Sequence, residues 1–288
     1  MTFDRHALLR AAVELLPGPT ARLDAEVLLA HVLGCERLDL LADRGPIDGR
    51  AVARFQALIA RRRQGEPVAH LTGRREFWSL DLAVTPDVLV PRPESETLIE
   101  AAVAFFTAKG RAPASILDLG TGSGALLLAA LSVWPDAWGV GLDRSVAALR
   151  VASGNARTLG FGARVSFLAS DWGDALEGRF DLVLANPPYV PTEADLPREV
   201  RLYEPAMALF AGPDGLAAYR RILPQLPRLL APAGVAVLEL GAGQQGVVGA
   251  LASAMGFRPR FLADLAGIAR AVLLTRSPAG LGKPDSAD

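Results

Sequence analysis

The chain has one cysteine, Cys35, in 288 residues. That excludes an internal disulfide framework and a cysteine-rich metal centre. Histidine is nearly as scarce: His6, His31 and His70 lie scattered, without the spacing of a metal site, and no metal is expected. Net charge is almost absent at -1, which argues against stable nucleic-acid binding. Apolar runs long enough to span a bilayer are missing, as is the apolar core of a signal peptide. The amphipathic first sixteen residues carry Asp4 and Glu14 beside Arg5 and Arg10, unlike an acid-poor transit peptide. The expected location is the cytoplasm, with no membrane partner.

Apolar residues are plentiful, at 51%, enough for a substantial core in one large or two modest domains. Helical spacing runs from Asp4 to Leu16 and stops at Pro17-Gly18-Pro19. It resumes from Ala21 to Leu33, where Gly34 closes it. After a short apolar piece, Leu38 to Ala42, Asp48 can cap a third helix reaching about Gln64. These elements predict a small helical, substrate-docking domain over residues 1–65. Arginines cluster toward and beyond its end: Arg50, Arg54, Arg61, Arg62, Arg63, Arg74 and Arg75. A solvated helix face with cations near its C-terminus is the favoured reading, and a docking surface for an acidic partner or RNA the other. Residues 66–92 read as a linker with a β-hairpin, formed by Phe77-Trp78 and Leu80–Val84. A helix follows from Glu94 to Lys109, with proline near its first turn.

From Ser115 onward strands and helices alternate. The expected strands are Ile116–Leu119, Trp138–Leu142, Val165–Leu168, Phe180–Ala185, Val235–Leu240, Pro259–Leu262 and Ala271–Thr275. The expected helices are Ala125–Val133, Ser145–Leu159, Leu216–Leu230 and Gln244–Met255. This alternation defines the fold class as α/β, with an open, mainly parallel sheet covered on both faces over residues 93–276. A polar tail, 277–288, is expected to be disordered.

The first strand of that region runs into Gly120-Thr121-Gly122-Ser123-Gly124. Glycines let a ligand approach the backbone. The spacing is GxGxG, not the GxGxxG of a dinucleotide site. Asp143 ends the next strand, where a carboxylate accepts from ribose hydroxyls. Asp171-Trp172 follows the third strand: the acid suits an adenine amino group and the indole suits the base face. With Asp118 supporting the loop and an amino-acid end, the set reads as a site for S-adenosyl-L-methionine.

Asn186-Pro187-Pro188-Tyr189 follows the strand Phe180–Ala185. Two prolines cannot extend a strand, so the chain leaves the sheet as a stiff loop. That loop offers an amide, carbonyls and an aromatic ring, which suit a planar N–H₂ group. A glutamine amide and an exocyclic base amine both qualify, and DNA adenine-N6 methyltransferases share the motif.

Taken with Leu23-Asp24-Ala25-Glu26-Val27-Leu28-Leu29-Ala30-His31, Pro91-Arg92-Pro93-Glu94, Leu117–Gly124, Glu204-Pro205, Asp214-Gly215-Leu216, Tyr219-Arg220, and Leu238-Glu239-Leu240-Gly241 with Gln244, the chain resembles a known family. It is the protein-(glutamine-N5) methyltransferases acting on peptide chain release factors, the PrmC/HemK family. The resemblance covers nearly the whole length. Pro-Arg-Pro-Glu sets it apart from a sister branch that methylates a ribosomal-protein glutamine. Ser95 stands where the family usually has threonine, and keeps the hydroxyl.

The resemblance implies a Rossmann-like, seven-stranded class I methyltransferase domain preceded by a small helical domain. It implies methyl transfer from S-adenosyl-L-methionine, leaving S-adenosyl-L-homocysteine, to the glutamine of a Gly-Gly-Gln loop in class 1 release factors. Asn186, Pro187 and Tyr189 are then the expected catalytic residues, with Pro188 completing the substrate loop. Asp118, Gly120, Thr121, Gly122, Ser123, Gly124, Asp143, Asp171, Trp172 and Asn186 are the expected cofactor residues. Glu204 and Glu239 either line the pocket or pair with neighbours.

Overall fold

A computed structural model describes residues 2–42, 45–264 and 266–277. Apart from Ser277, the tail expected to be disordered lies outside the described residues. The chain forms two compact units that interleave in sequence.

The first unit holds the residues up to Arg75, together with Val84–Pro86 and Leu196–Glu204. Its helices span Arg5–Leu15, Ala21–Leu33, Arg37–Ala42, Gly49–Arg63, Val68–Thr72 and Arg198–Tyr203. Asp4 and Asp48 cap the first and fourth by accepting from two backbone N–H groups each. Gly34 ends the second with a left-handed φ of 67°. Leu28, Leu29, Leu40, Phe55 and Ile59 fill the core, and Leu71 of the short fifth helix joins them. That burial carries the unit past residue 65.

Two acids on the second helix are buried with partners. Burial alone would raise the pKa of Glu26, but hydrogen bonds and charge from Arg22 and Arg37 bring it below the usual carboxylate value. Arg62 Nε donates to Asp24 Oδ2 at 2.7 Å, and Arg62 Nη1 donates to Glu199 Oε2 at 2.9 Å. This double pairing ties the distant segment Leu196–Glu204 into the helical unit. It also assigns part of the arginine cluster to internal structure: Arg61 pairs with Glu66 in the same region.

The second unit is built on a seven-stranded sheet. We number its strands β1 (Ser115–Leu119), β2 (Trp138–Asp143), β3 (Val165–Ala169), β4 (Phe180–Ala185), β5 (Leu230–Glu239), β6 (Phe257–Ala263) and β7 (Ala269–Arg276). Their order is β6-β7-β5-β4-β1-β2-β3, with β7 antiparallel to both neighbours and the remaining pairs parallel. Alternate residues face opposite sides. Ile116, Leu182, Leu184, Val235 and Val237 pack against the helices Glu96–Ala108 and Ala125–Val133. Leu117, Val183, Ala236 and Leu238 pack on the other face, with Tyr219, Leu226 and Val248. A hairpin of Arg74–Phe77 with Leu80–Ala83 forms a separate two-stranded sheet.

Two expected elements differ. The helix expected over Leu216–Leu230 is broken into Ala217–Ile222, a 3₁₀ turn at Leu223–Gln225, and Leu226–Leu229. Pro224 and Pro227 have no N–H to continue one helix. The strand expected from Val235 starts five residues earlier, at Leu230, with a register shift beside Phe180. No described helix is long and apolar enough to cross a membrane.

Arg62→Leu should lower the stability of the first unit by about 2 kcal/mol, because it leaves two carboxylates without their common partner. A lowered thermal midpoint, with faster proteolysis within Leu196–Glu204, would verify the tie.

Candidate active site

Parallel register brings the motifs together at the C-terminal edge of the sheet, where open α/β folds bind ligands. Leu119 of β1 pairs with Ala185 of β4 on one side and Leu142 of β2 on the other. The glycine loop and Asn186 therefore leave from neighbouring strand ends, roughly 4.8 Å apart. Asp143 is the next residue along β2.

Gly120, Gly122 and Gly124 all have left-handed φ, at 75°, 56° and 85°. At Gly124 a Cβ would press on Ala152 and Leu128, so this glycine serves close helix packing. At Gly122 nothing lies within 4 Å of that position, which leaves the backbone open to a ligand. Asp143 holds the loop: its Oδ2 accepts from Gly122 N at 2.9 Å and its Oδ1 from Ser145 N at 2.8 Å. Each carboxylate oxygen retains acceptor capacity for a second donor.

Asp118 is buried, and its Oδ2 accepts from Thr121 Oγ1 at 2.6 Å. Its Oδ1 is buried without a hydrogen-bond partner. Burial, with the nearby Asp143 charge, pushes its pKa up to about 7 against the pull of Thr121. An orphaned buried oxygen on such an acid fits a cationic amino group. Ser123 is buried too, and its carbonyl accepts from Asn155 Nδ2 at 2.9 Å. Asn155 also exchanges hydrogen bonds with the Ala83 backbone in both directions, fixing hairpin and loop to one helix. No sequence signal marks Asn155 except a polar residue on an apolar helix face.

Trp172 is half-buried, with an unusual φ of 54°, and a Cβ at Gly120 would sit 3.3 Å from its ring. The indole thus flanks the glycine loop. Asp171 is engaged elsewhere: its Oδ2 pairs with Arg221 at 2.9 Å, and Arg221 also reaches Asp174.

The Asn-Pro-Pro-Tyr loop is held by residues from three other segments. Asn186 Nδ2 donates to Ser95 Oγ at 3.1 Å, and Ser95 donates to Glu239 Oε2. Tyr189 donates its hydroxyl to Glu239 Oε1 at 3.2 Å. Burial pushes Glu239 up to about 7, against the opposing hydrogen bonds of Ser95 and Tyr189. Burial and the Glu239 charge also raise the Tyr189 phenol above its ordinary value. Gln244 Nε2 donates to Tyr189 O and Gly215 O, while Gly241 N donates to its Oε1. Val190 exchanges backbone hydrogen bonds with Leu209 and Ala211. Pro187 is buried, and among the described residues its carbonyl accepts no hydrogen bond. Among the described residues no group of His, Cys, Asp and Glu is placed to hold a metal ion.

A mainly parallel sheet with a reversed last strand, a glycine loop after β1 and acids at the C-terminal ends of β1 and β2 define a class I methyltransferase. Residues 112–255 match the family model described as a methyltransferase domain, and residues 6–73 match the PrmC N-terminal domain. The chain is 45% identical to a release factor glutamine methyltransferase of Rhodospirillum rubrum, over 90% of this chain and 80% of that one. It is 47% identical to one of Burkholderia pseudomallei, over 90% and 94% of the two chains. Among solved structures, the hMettl16 catalytic domain in complex with MAT2A 3'UTR hairpin 1 shares the fold at 13% identity. Its TM-score is 0.56 over 83% of this chain and 85% of that one. A methyltransferase from Pyrococcus furiosus does so at 18% identity, with TM-score 0.50 over 77% and 98%. The chain belongs to the release factor glutamine methyltransferase family, and is an S-adenosylmethionine-dependent enzyme.

Asp118 and Glu239 both bind protons more tightly folded than unfolded. Between pH of about 4 and about 7 these two carboxyls therefore hold more protons in the folded state than in the unfolded one, and their contribution to stability falls as pH rises through that range. Urea midpoints for the ligand-free protein should decline across this window, and less steeply in Asp118→Asn. Gly215→Ala should be severe: φ is +72° and a Cβ would lie 2.3 Å from Tyr189 O. A loss of about 3 kcal/mol, read by denaturant titration, is expected.

Proposed function

We propose that the protein methylates the side-chain amide nitrogen (N5) of the glutamine in the Gly-Gly-Gln motif of class 1 peptide chain release factors, using S-adenosyl-L-methionine and releasing S-adenosyl-L-homocysteine. The observation that carries this is the Leu119–Ala185 register, which starts the glycine loop and the Asn-Pro-Pro-Tyr loop side by side. The release factor glutamine methyltransferases, at 40–47% identity over most of the chain, support the acceptor.

An amide nitrogen is a weak nucleophile because its lone pair is delocalised into the carbonyl. The residues must therefore hold it, strip its water and aim its lone pair. Asn186 Oδ1 and the Pro187 carbonyl accept the two amide hydrogens of the acceptor. Pro188 stiffens the loop, and the Tyr189 ring covers the planar amide. Asp118 receives the amino group of the methyl donor, and Gly120, Thr121, Gly122, Ser123 and Gly124 let its amino-acid part lie along the backbone. Asp143 accepts from the ribose, and Asp171 and Trp172 bound the adenine, Asp171 by its oxygen not taken by Arg221. The bound cofactor supplies an electrophilic methyl group on a sulfonium. Fixing both reactants in near-attack geometry contributes on the order of 7–11 kcal/mol. As the acceptor nitrogen gains positive charge on methylation, one of its two protons becomes acidic and leaves to water, and the other stays on the methylated amide.

Incubation with methyl-labelled cofactor should label a class 1 release factor, but not the same factor with its loop glutamine changed to alanine. Equal labelling of both would refute the target, and labelling only of ribosomal protein would move the assignment to the sister branch. Asn186→Ala should reduce transfer by at least about 100-fold while cofactor affinity, measured by calorimetry, stays within roughly threefold.

A further inference from the structure

We infer that Ser95 and Glu239 are positioning residues for methyl transfer: together they fix which end of the Asn186 amide faces the acceptor. This rests on the reading above, in which Asn186 Oδ1 takes a hydrogen from the acceptor amide.

A primary amide has an oxygen and an N–H₂ group of nearly equal size. Turned by 180°, Asn186 would present donors to another N–H₂ group, and the acceptor amide would be repelled instead of held. Packing alone discriminates poorly between the two orientations, so hydrogen bonding must decide.

The decision is made one residue further back. Ser95 is 3% exposed, so its hydroxyl has almost no water to turn toward. A hydroxyl has one proton to give. Ser95 gives it to Glu239 Oε2. The lone pairs that remain can only accept, and the group facing them is Asn186 Nδ2, at 3.1 Å. The nitrogen of Asn186 is therefore turned inward and Oδ1 is left for the substrate.

Glu239 gives the chain its direction. Above a pH of about 7 its carboxyl is ionised; it then accepts and cannot donate, so each hydroxyl beside it must point its proton inward. Its second oxygen takes the Tyr189 proton, so one side chain orients both polar members of the loop. Glu239 itself is 2% exposed, and the buried Tyr219 hydroxyl donates to its backbone carbonyl at 2.7 Å. Ser95 is set by the 3₁₀ turn Pro93–Ser95, which gives the Pro-Arg-Pro-Glu segment a structural purpose in the transfer step.

The test compares Ser95→Thr with Ser95→Val, which have similar shape but differ in the hydroxyl, using the full chain, cofactor and a class 1 release factor. Ser95→Thr should keep kcat within about threefold. Ser95→Val should lose about 10- to 100-fold in kcat, with the KM for cofactor nearly unchanged. A second comparison places Ser95→Val on Asn186→Asp. A carboxylate presents an acceptor in either orientation, so the valine should then cost less than about threefold beyond the single variant. Ser95→Val with normal kcat, or with its full loss retained on Asn186→Asp, would overturn the inference. Thermal midpoints separate either result from misfolding: a Ser95→Thr variant that is folded and as impaired as Ser95→Val also overturns it. A wild-type protein inactive on the release factor would instead refute the functional reading on which this role depends.

Discussion

At the end of the fifth strand the protein keeps a carboxylate almost entirely out of water. Removing such a group from water costs several kcal/mol unless hydrogen bonds replace its hydration. For Glu239 the replacements come from Ser95 and Tyr189, 144 and 50 residues away in sequence. Once that carboxyl is ionised, above a pH of about 7, it only accepts, so both partners must donate, and the polarity of the surrounding bonds follows from this one charge. The Asn-Pro-Pro-Tyr loop, which contains no regular secondary structure, acquires a fixed arrangement from a group outside it. A buried acid of this kind is a poor source of stability and a good source of order.

The sheet supplies the other half of the arrangement. Parallel pairing delivers β1, β2 and β4 to one edge with their ends level, so residues far apart in the chain become neighbours there. Small residues then let the loops close down. On β2 a Cβ at Gly141 would lie 2.7 Å from the Phe167 ring and 3.0 Å from Thr121 Oγ1. Any side chain at that position would push Thr121 away from Asp118 and weaken the base of the glycine loop. Asn155 completes the support by joining Ser123 to the Ala83 backbone.

Much of this was legible in the sequence because it is local. The helix cap at Asp48, the stop at Gly34 and the apolar strands β1 and β4 depend on residues a few positions apart. The break in the helix expected over Leu216–Leu230 was legible too, in Pro224 and Pro227, but an apolar helical period concealed it. What sequence reasoning missed is the long-range pairing. Nothing near Glu239 distinguishes a pocket acid from a helix partner, since its meaning lies in Ser95. Nothing near Arg62 announces Glu199, 137 residues on. Asn155 looks like a polar residue on a helix face until the Ser123 carbonyl is placed beside it.

The double pairing of Arg62 has a consequence for inheritance. The helical unit is not one stretch of sequence: Leu196–Glu204 belongs to it, although the chain on both sides belongs to the sheet unit. A single recombination event near residue 75 would pair a new Arg62 with an old Glu199 segment. Exchange between relatives would succeed only where both pieces travelled together, or where both lineages kept the same ion pair. The two units are therefore bound to a shared history, and the short segment just beyond the Asn-Pro-Pro-Tyr loop records which helical unit it evolved with.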